Sequence, residues 1–389
     1  MAVVLRGLAW DHRRCWGPLG ASIATYRSVH PDVSVQWDRR SLYDFGEGRI
    51  EDVVRNYDLV IYDHPFVGDI ARQRLMLPLD SFLCESKKRQ FETDSVGKSW
   101  QSYEADGDHW ALPIDAAAQV SSYRPDLLPG FADRLPTTHA EVVEIGRRLN
   151  AEGKWLGLPW VPTDAMCLLL SFAAGAGDPI GIDGRFLPAA AVERIVGELR
   201  ELVALSHPLS KSWNPIRCYD HMVSHDDVVY VPFAFGYVNY AARQETPHLR
   251  FGNIPVPGAK GALLGGAGIG VSAFSAHPEA SVDYALFLCS PDYQCGDYVK
   301  FGGQPGSLKA WTDVEVNAGT RSFFSDTLAT LTNSYLRSTE AGFISFFRDC
   351  THHAARALAG ELSGKEFADL LNNRYSVIGR DGPRQRGPA

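Results

Sequence analysis

Apolar positions fall into two rhythms along the chain, short continuous or alternating runs and longer stretches with one apolar residue every three or four. Val3, Val4, Leu5, Leu8, Ala9 and Trp10 make an apolar run that stops abruptly at Asp11-His12. Trp16, Leu19, Ile23 and Tyr26 then recur at helical spacing, and Pro31 ends that helix at about His30. Residues 33–37 alternate as a strand does, Ile50, Val53 and Val54 mark a helix, and 58–62 are an apolar strand. The order strand, helix, strand, helix, strand predicts a parallel sheet with right-handed crossovers. A helix from about Val67 and a turn at Leu77-Pro78-Leu79-Asp80 follow, then a polar region over 84–108.

Residues 110–115 read as a short strand leaving this first unit. Thr138-His139-Ala140-Glu141 is a capping box opening a helix to about Asn150. A second long helix starts at Pro188, carries Val192, Ile195, Val196, Leu199, Leu202 and Val203 on one stripe, and stops before Pro208. Residues 228–233 are a strand, and 251–257 are extended because residues before proline avoid the helical region. The glycine cluster over 261–270 is expected to feed a strand, Val271-Ser272-Ala273, and a helix from Pro278 to about Cys289. Ser363-Gly364-Lys365-Glu366 caps a last helix, and 380–389 are expected to be a disordered tail. A chain of 389 residues exceeds one comfortable core, so two lobes are expected. No linker divides them, so the chain should cross between lobes more than once.

Composition narrows the partners. The formal net charge of −8 and the absence of any basic run argue against nucleic acid. The longest uncharged apolar stretch, 165–174, is about half a membrane span, so no membrane insertion is expected. Seven scattered cysteines without a CxxC pair fit free thiols in a reducing compartment. Residues 1–10 do not form a secretory signal, which predicts a cytoplasmic location for the chain as given, or a periplasmic or extracellular one if a leader has been removed.

Several segments in order then resemble one family. Trp110-Ala111-Leu112-Pro113-Ile114-Asp115 is similar to an aromatic-x-Leu-Pro-x-Asp crossover, and Ser122-Tyr123-Arg124-Pro125-Asp126-Leu127-Leu128 to a Tyr-Asn-x-Asp-Leu-Phe stretch. Pro136-Thr137-Thr138-His139-Ala140-Glu141 looks like a Pro-x-Thr-Trp-x-Glu helix start. Gly265-Gly266-Ala267-Gly268-Ile269-Gly270-Val271-Ser272 with His277-Pro278-Glu279-Ala280 looks like a second crossover, and Pro291-Asp292-Tyr293-Gln294 with Gly302-Gly303-Gln304-Pro305 like a segment re-entering a cleft. Together these resemble the extracellular solute-binding proteins of ABC importers, sugar-type, over roughly 3–310. Arg124 and His139 stand where that family usually has Asn and Trp. The resemblance implies an α/β, two-lobed, periplasmic-binding-protein-like fold, each lobe a mostly parallel sheet flanked by helices. Lobe one would be 1–112 plus 265–310 and lobe two 113–264 plus 311–379, with hinge closure over a small polar organic ligand and an ABC permease as partner if the protein is exported. No cofactor is implied.

The candidate ligand-binding residues lie at ends of elements: Trp10, Asp11, His12, Asp63, His64, Phe66, Asp115, Trp160, Phe233, Phe235, Tyr237, Gly265, Gly266 and Gln304. Aromatic faces suit a sugar or ring, and carboxylates and glycine amides fix polar atoms. The dipeptide Asp-His occurs at 11–12, 63–64, 108–109 and 220–221. Carboxylate beside imidazole is the combination for acid–base chemistry near neutral pH, which keeps open an alternative: a cytoplasmic enzyme on the same fold, with Asp11, His12, Asp63 and His64 as catalytic groups acting on a small metabolite. Neighbours on an extended end point apart, so a working pair should be cross-strand, such as Asp11 with His64. A metal site from His12, His64 and Asp63 has no supporting spacing, and none is assigned. Gly268-Ile269-Gly270 precedes a strand and is not a dinucleotide fingerprint.

Overall fold

The computed structural model describes residues 2–378, and the tail expected at 380–389 lies outside the described residues. The first strand, β1 (Val3–Trp10), is followed by helix α1 (Arg13–Val29), strand β2 (Val33–Arg40), a short helix α2 (Leu42–Glu47) and strand β3 (Leu59–Tyr62). Both β2 and β3 pair with β1 in parallel, as the alternating order predicts. The helix expected around Ile50, Val53 and Val54 is instead two single 3₁₀ turns, Ile50–Asp52 and Val54–Asn56. Three apolar residues are enough to plug the sheet edge but too few to sustain a helix.

Apart from a small hairpin pairing Glu104–Ala105 with Asp108–His109, the remaining strands are β4 (Leu112–Tyr123), β5 (Trp155–Leu156), β6 (Val228–Phe235), β7 (Arg250–Gly252) and β8 (Leu264–Val271). The sheet runs β2-β1-β3-β8-β4-β6-β5, with β7 also on β4. The expected short strand at 110–115 is in fact β4, twelve residues long and buried at every position. Its first part pairs with β8 and its last part with β6 and β7, so a single strand belongs to the sheets of both lobes.

The glycine cluster does not feed a strand; it is the strand β8, antiparallel to both β3 and β4. Glycine is a poor strand former, but here side chains from neighbouring elements occupy the space its own would need. A Cβ on Gly265 would lie 2.7 Å from the Phe235 ring, and one on Gly266, at φ +123°, 2.3 Å from the Asp115 carbonyl oxygen.

Both predicted capping boxes form, at Thr138 for helix α3 (His139–Ala151) and at Ser363 for the last described helix, Gly364–Tyr375. Several helices were not foreseen, among them Pro215–Ser224, Phe323–Thr332 and Phe343–Leu358, and two of the unforeseen ones carry little periodic signal. Glu85–Asp94 buries only Phe91, and α4 (Pro162–Ala176) is apolar on nearly every face because it runs through the lobe-two core. Helix α5 (Ala189–Leu205) buries the predicted stripe. The structure is two-lobed. One large apolar core gathers around α4, α5 and β6, and two smaller ones lie on either face of the β1–β3–β8 sheet. Among the described residues no helix is long and apolar enough to cross a membrane. All seven cysteines are unpaired.

Candidate functional site

A cavity of about 240 Å³ opens where β1, β3, β4, β6 and β8 converge between the lobes. That is many times the roughly 10–15 Å³ needed to admit a single water, space for one small organic solute. Of the residues expected in the cleft, Trp10, Asp63, Asp115, Phe235, Tyr237, Gly265 and Gly266 line it. They do so because strand ends and the crossing strand meet there, which is where open α/β sheets hold ligands. Trp10 tilts against Phe45 at 4.6 Å between ring centres, and its buried indole N–H has no hydrogen-bond partner among the described residues.

Two arginines not foreseen from the sequence organise the floor. Arg14, in the first turn of α1, donates from Nε to Asp115 at 2.8 Å and from a terminal nitrogen to the other Asp115 oxygen, while its second terminal nitrogen donates to the Gly236 carbonyl at 3.0 Å. It also lies over the Tyr237 ring, 4.8 Å from the centroid. Burial works against the Arg14 charge, but Asp115 more than offsets this and raises its pKa. Arg337 reaches Asp63 with one terminal nitrogen 3.1 Å from each oxygen, and its Nε donates to His64 Nε2 at 3.3 Å. Burial opposes the Asp63 charge, yet Arg337 and His64 hold its pKa near 2.

Each of the two strand-end histidines has a ring nitrogen held by a donor of the protein. His12 is the N-cap of α1, and its Nδ1 accepts the Arg14 backbone N–H at 3.1 Å. Burial and then the Arg14 charge lower its pKa to about 4, and the positive end of the helix acts in the same sense. His64 is buried between Asp63, whose carboxylate lies 3.2 Å from its Nδ1, and Arg337, which occupies its Nε2. Burial and then the Arg337 charge lower its pKa to about 4 as well.

The cross-strand pair of Asp11 with His64 is therefore corrected. Asp11 is exposed and faces Arg39 at 3.1 Å, while His64 pairs with its own neighbour, because the chain turns into a 3₁₀ helix at His64–Phe66 and neighbouring side chains no longer alternate. With both imidazoles neutral and each with a ring nitrogen already accepting an N–H, the geometry gives acid–base catalysis and a His12–His64–Asp63 metal site no free lone pair on His64 and none on Nδ1 of His12.

Four other expected residues lie outside the cavity wall. Phe66, Trp160 and Phe233 are buried in the apolar cores, their rings drawn inward by packing. Gln304 is buried among main-chain groups, donating to the Ala116 carbonyl and accepting from the Val238 N–H.

The structure adds Glu47 and Asp164 to the wall, one from each lobe. Glu47 ends α2 and accepts a hydrogen bond from the Thr163 hydroxyl, a direct contact between the lobes. Asp164 sits in the first turn of α4, only 7% exposed and without a hydrogen-bond partner among the described residues. Burial and then the nearby Glu47 raise its pKa well above the usual carboxylate range. One carboxyl at the head of an otherwise apolar helix was the signal that could have found it.

At the other end of β6, far along the strand from Phe235, Asp227 faces His221 at 2.8 Å and His207 at 3.3 Å, a metal-compatible donor set. His207 Nδ1 accepts the Leu209 N–H, so its Nε2 carries the proton and donates to Asp227. That arrangement is complete as a hydrogen-bonded group.

Comparison with known proteins bears on the cavity. Residues 19–294 match the family described as bacterial extracellular solute-binding protein. Among solved structures, the maltose-bound MalE3 of T. maritima is similar at TM-score 0.80 and 19% identity, over 96% of this chain and 99% of that one. The GacH receptor of Streptomyces glaucescens, solved unliganded and with acarbose, gives 0.79 and 16% over 96% and 98%. A solute-binding protein of Agrobacterium radiobacter with ribitol gives 0.77 and 16% over 96% and 98%.

Proposed function

Because the chain belongs to the bacterial extracellular solute-binding protein family, we propose that its interlobe cavity binds one small polar organic solute of the sugar or polyol class. The observation that carries this reading is the cavity itself, where aromatic rings, arginine-paired carboxylates and the glycine floor of β8 converge from both lobes. The similar structures were solved with maltose, acarbose and ribitol, which supports a sugar or polyol class here. We take the lobes as 1–112 plus 265–310 and 113–264 plus 311–379, closing by bending where β4 and β8 pass between them. The ligand-binding residues on this reading are Trp10, Asp63, Asp115, Phe235, Tyr237, Gly265 and Gly266, joined by Arg14, Glu47, Asp164 and Arg337. Membership of the family supports delivery of that solute to an ABC permease outside the cytoplasm.

Thermal unfolding in the presence of a panel of sugars and polyols tests it. A solute present at a hundred times its Kd stabilises the folded form by about 2.7 kcal/mol, so a true ligand raises Tm in proportion to the logarithm of its concentration. The Trp10→Ala variant should lose at least about tenfold in affinity for that ligand, as expected of a buried aromatic anchor. No shift from any member of the panel at millimolar concentration would remove the sugar and polyol classes.

A further inference from the structure

The charges lining the cavity do not balance. Asp63 faces Arg337 and Asp115 faces Arg14, so these four groups cancel. Glu47 and Asp164 line the same space, and among the described residues neither is bridged to a Lys, Arg or His. His12 and His64, the imidazoles nearest the strand ends, are already committed to other hydrogen bonds as neutral rings. Two carboxyl groups, one from α2 and one from α4, thus lie on the same cavity wall across the lobe boundary with no counter-charge supplied by the protein. Asp164, more than nine-tenths buried, has no hydrogen-bond partner at all among the described residues.

Leaving a carboxylate buried and unpaired is costly, and one placed beside a second carboxylate more so. The aromatic rings of the same wall, Trp10, Phe45 and Phe235, add electron-rich faces that attract a cation. A neutral hydroxyl would donate a single hydrogen to one of the two carboxyls and leave the charge uncompensated. An ammonium carries three donors and a full positive charge, so it can serve both.

We propose that the solute selected by this cavity carries a cationic nitrogen on a polyhydroxylated frame, an amino sugar or amino polyol, with the ammonium seated between Glu47 and Asp164. This rests on reading the cavity as the solute site. The paired carboxylates Asp63 and Asp115 would meet the hydroxyl end of the same molecule.

Calorimetric titration of the full chain at pH 7.5 with matched pairs tests it, D-glucosamine against D-glucose and 1-amino-1-deoxy-D-sorbitol against D-sorbitol, with maltose and ribitol alongside. The amine of each pair should bind at least about tenfold more tightly than its neutral partner, the scale of one charge-assisted hydrogen bond. Glu47→Gln and Asp164→Asn, each checked for an intact thermal transition, should bring the amine-to-neutral ratio towards one. Should the neutral partners bind as tightly as the amines or more so, the cationic ligand is overturned while solute binding stands. If maltose, ribitol and every pair fail to bind, both readings fall.

Discussion

Four carboxylates share one cavity, and they divide into two kinds. Asp63 and Asp115 each meet an arginine brought from a distant part of the chain, 274 and 101 residues away respectively. Glu47 and Asp164 meet only a hydroxyl or nothing among the described residues. The first kind holds the architecture: Arg14 ties α1 to the crossing strand and to Gly236 just past β6, and Arg337 ties a late segment to the end of β3. The second kind is vacant chemistry. Similar side chains lining one cavity therefore serve the fold or the ligand according to whether the protein itself supplies the opposite charge.

That contrast can be broken in several places. The largest effect is expected from Arg14→Met, which strands the Asp115 carboxylate, itself fully buried, without a partner. Removing one member of such a pair costs about 3–5 kcal/mol, readable as a lower urea midpoint, and a loss below about 1 kcal/mol would show that Asp115 does not depend on Arg14.

Acid comes next. The native pKa of His64 is about 4 against an ordinary 6.5, so between those values the unfolded chain binds more protons than the native one. Stability should consequently fall as pH is lowered from about 6.5 to 4, by on the order of 3 kcal/mol for this residue, with His12 acting in the same direction. Asp63, held near 2 against 3.8, contributes stability that is present above 3.8 and lost as pH falls to about 2. In His64→Asn the upper part of the acid loss should shrink; an unchanged profile from pH 6.5 to 4 would contradict the assignment.

The unpaired group should respond with the opposite sign. Asp164→Asn removes a carboxyl whose ionisation burial opposes, and is expected to stabilise the empty protein by about 1 kcal/mol, seen as a raised Tm, whereas the same change in Asp115 should destabilise. Equal signs in the two variants would erase the distinction. The smallest effect belongs to Thr163→Val, which deletes the contact to Glu47 across the lobes. Stability should change by less than about 1 kcal/mol while the solute leaves a few fold faster, measured by stopped-flow displacement.

Much of the fold was legible because local signals agreed with it. The capping boxes at Thr138 and Ser363, the stripe from Val192 to Leu202, and the apolar strands before Asp11 and Asp63 are short-range patterns, and each became the element it announced. The glycine run is expected only to feed a strand, not to be β8 itself, since glycine's low strand propensity is a local fact, while the rings of Phe235, Tyr103 and Tyr62 that require glycine at 265, 268 and 270 arrive from elsewhere. The cavity divides along the same line. Trp10, Asp63 and Asp115 could be placed from strand ends and the crossover, but Arg14 looked like an ordinary helix residue, and Arg337 gains meaning only beside a partner more than half the chain away. His12 and His64 follow the same rule: Asp-His is a sequence pattern, but what lowers their pKa is burial and then the charges of Arg14 and Arg337, which the dipeptide does not display.

The position of β8 has a consequence for the protein during its synthesis. It is the strand that joins β3 to β4 in the first sheet, yet it is made after all of β5, β6 and β7. At ribosomal rates of 5–20 residues per second, the edges of β3 and of the front half of β4 wait on the order of ten seconds for their partner. Every residue of both segments is buried in the finished molecule, and most are apolar, so the nascent chain carries two bare, largely apolar strand edges through that interval. Crowded production should therefore lose protein to aggregation before lobe one can close, and slower, cooler expression should recover it.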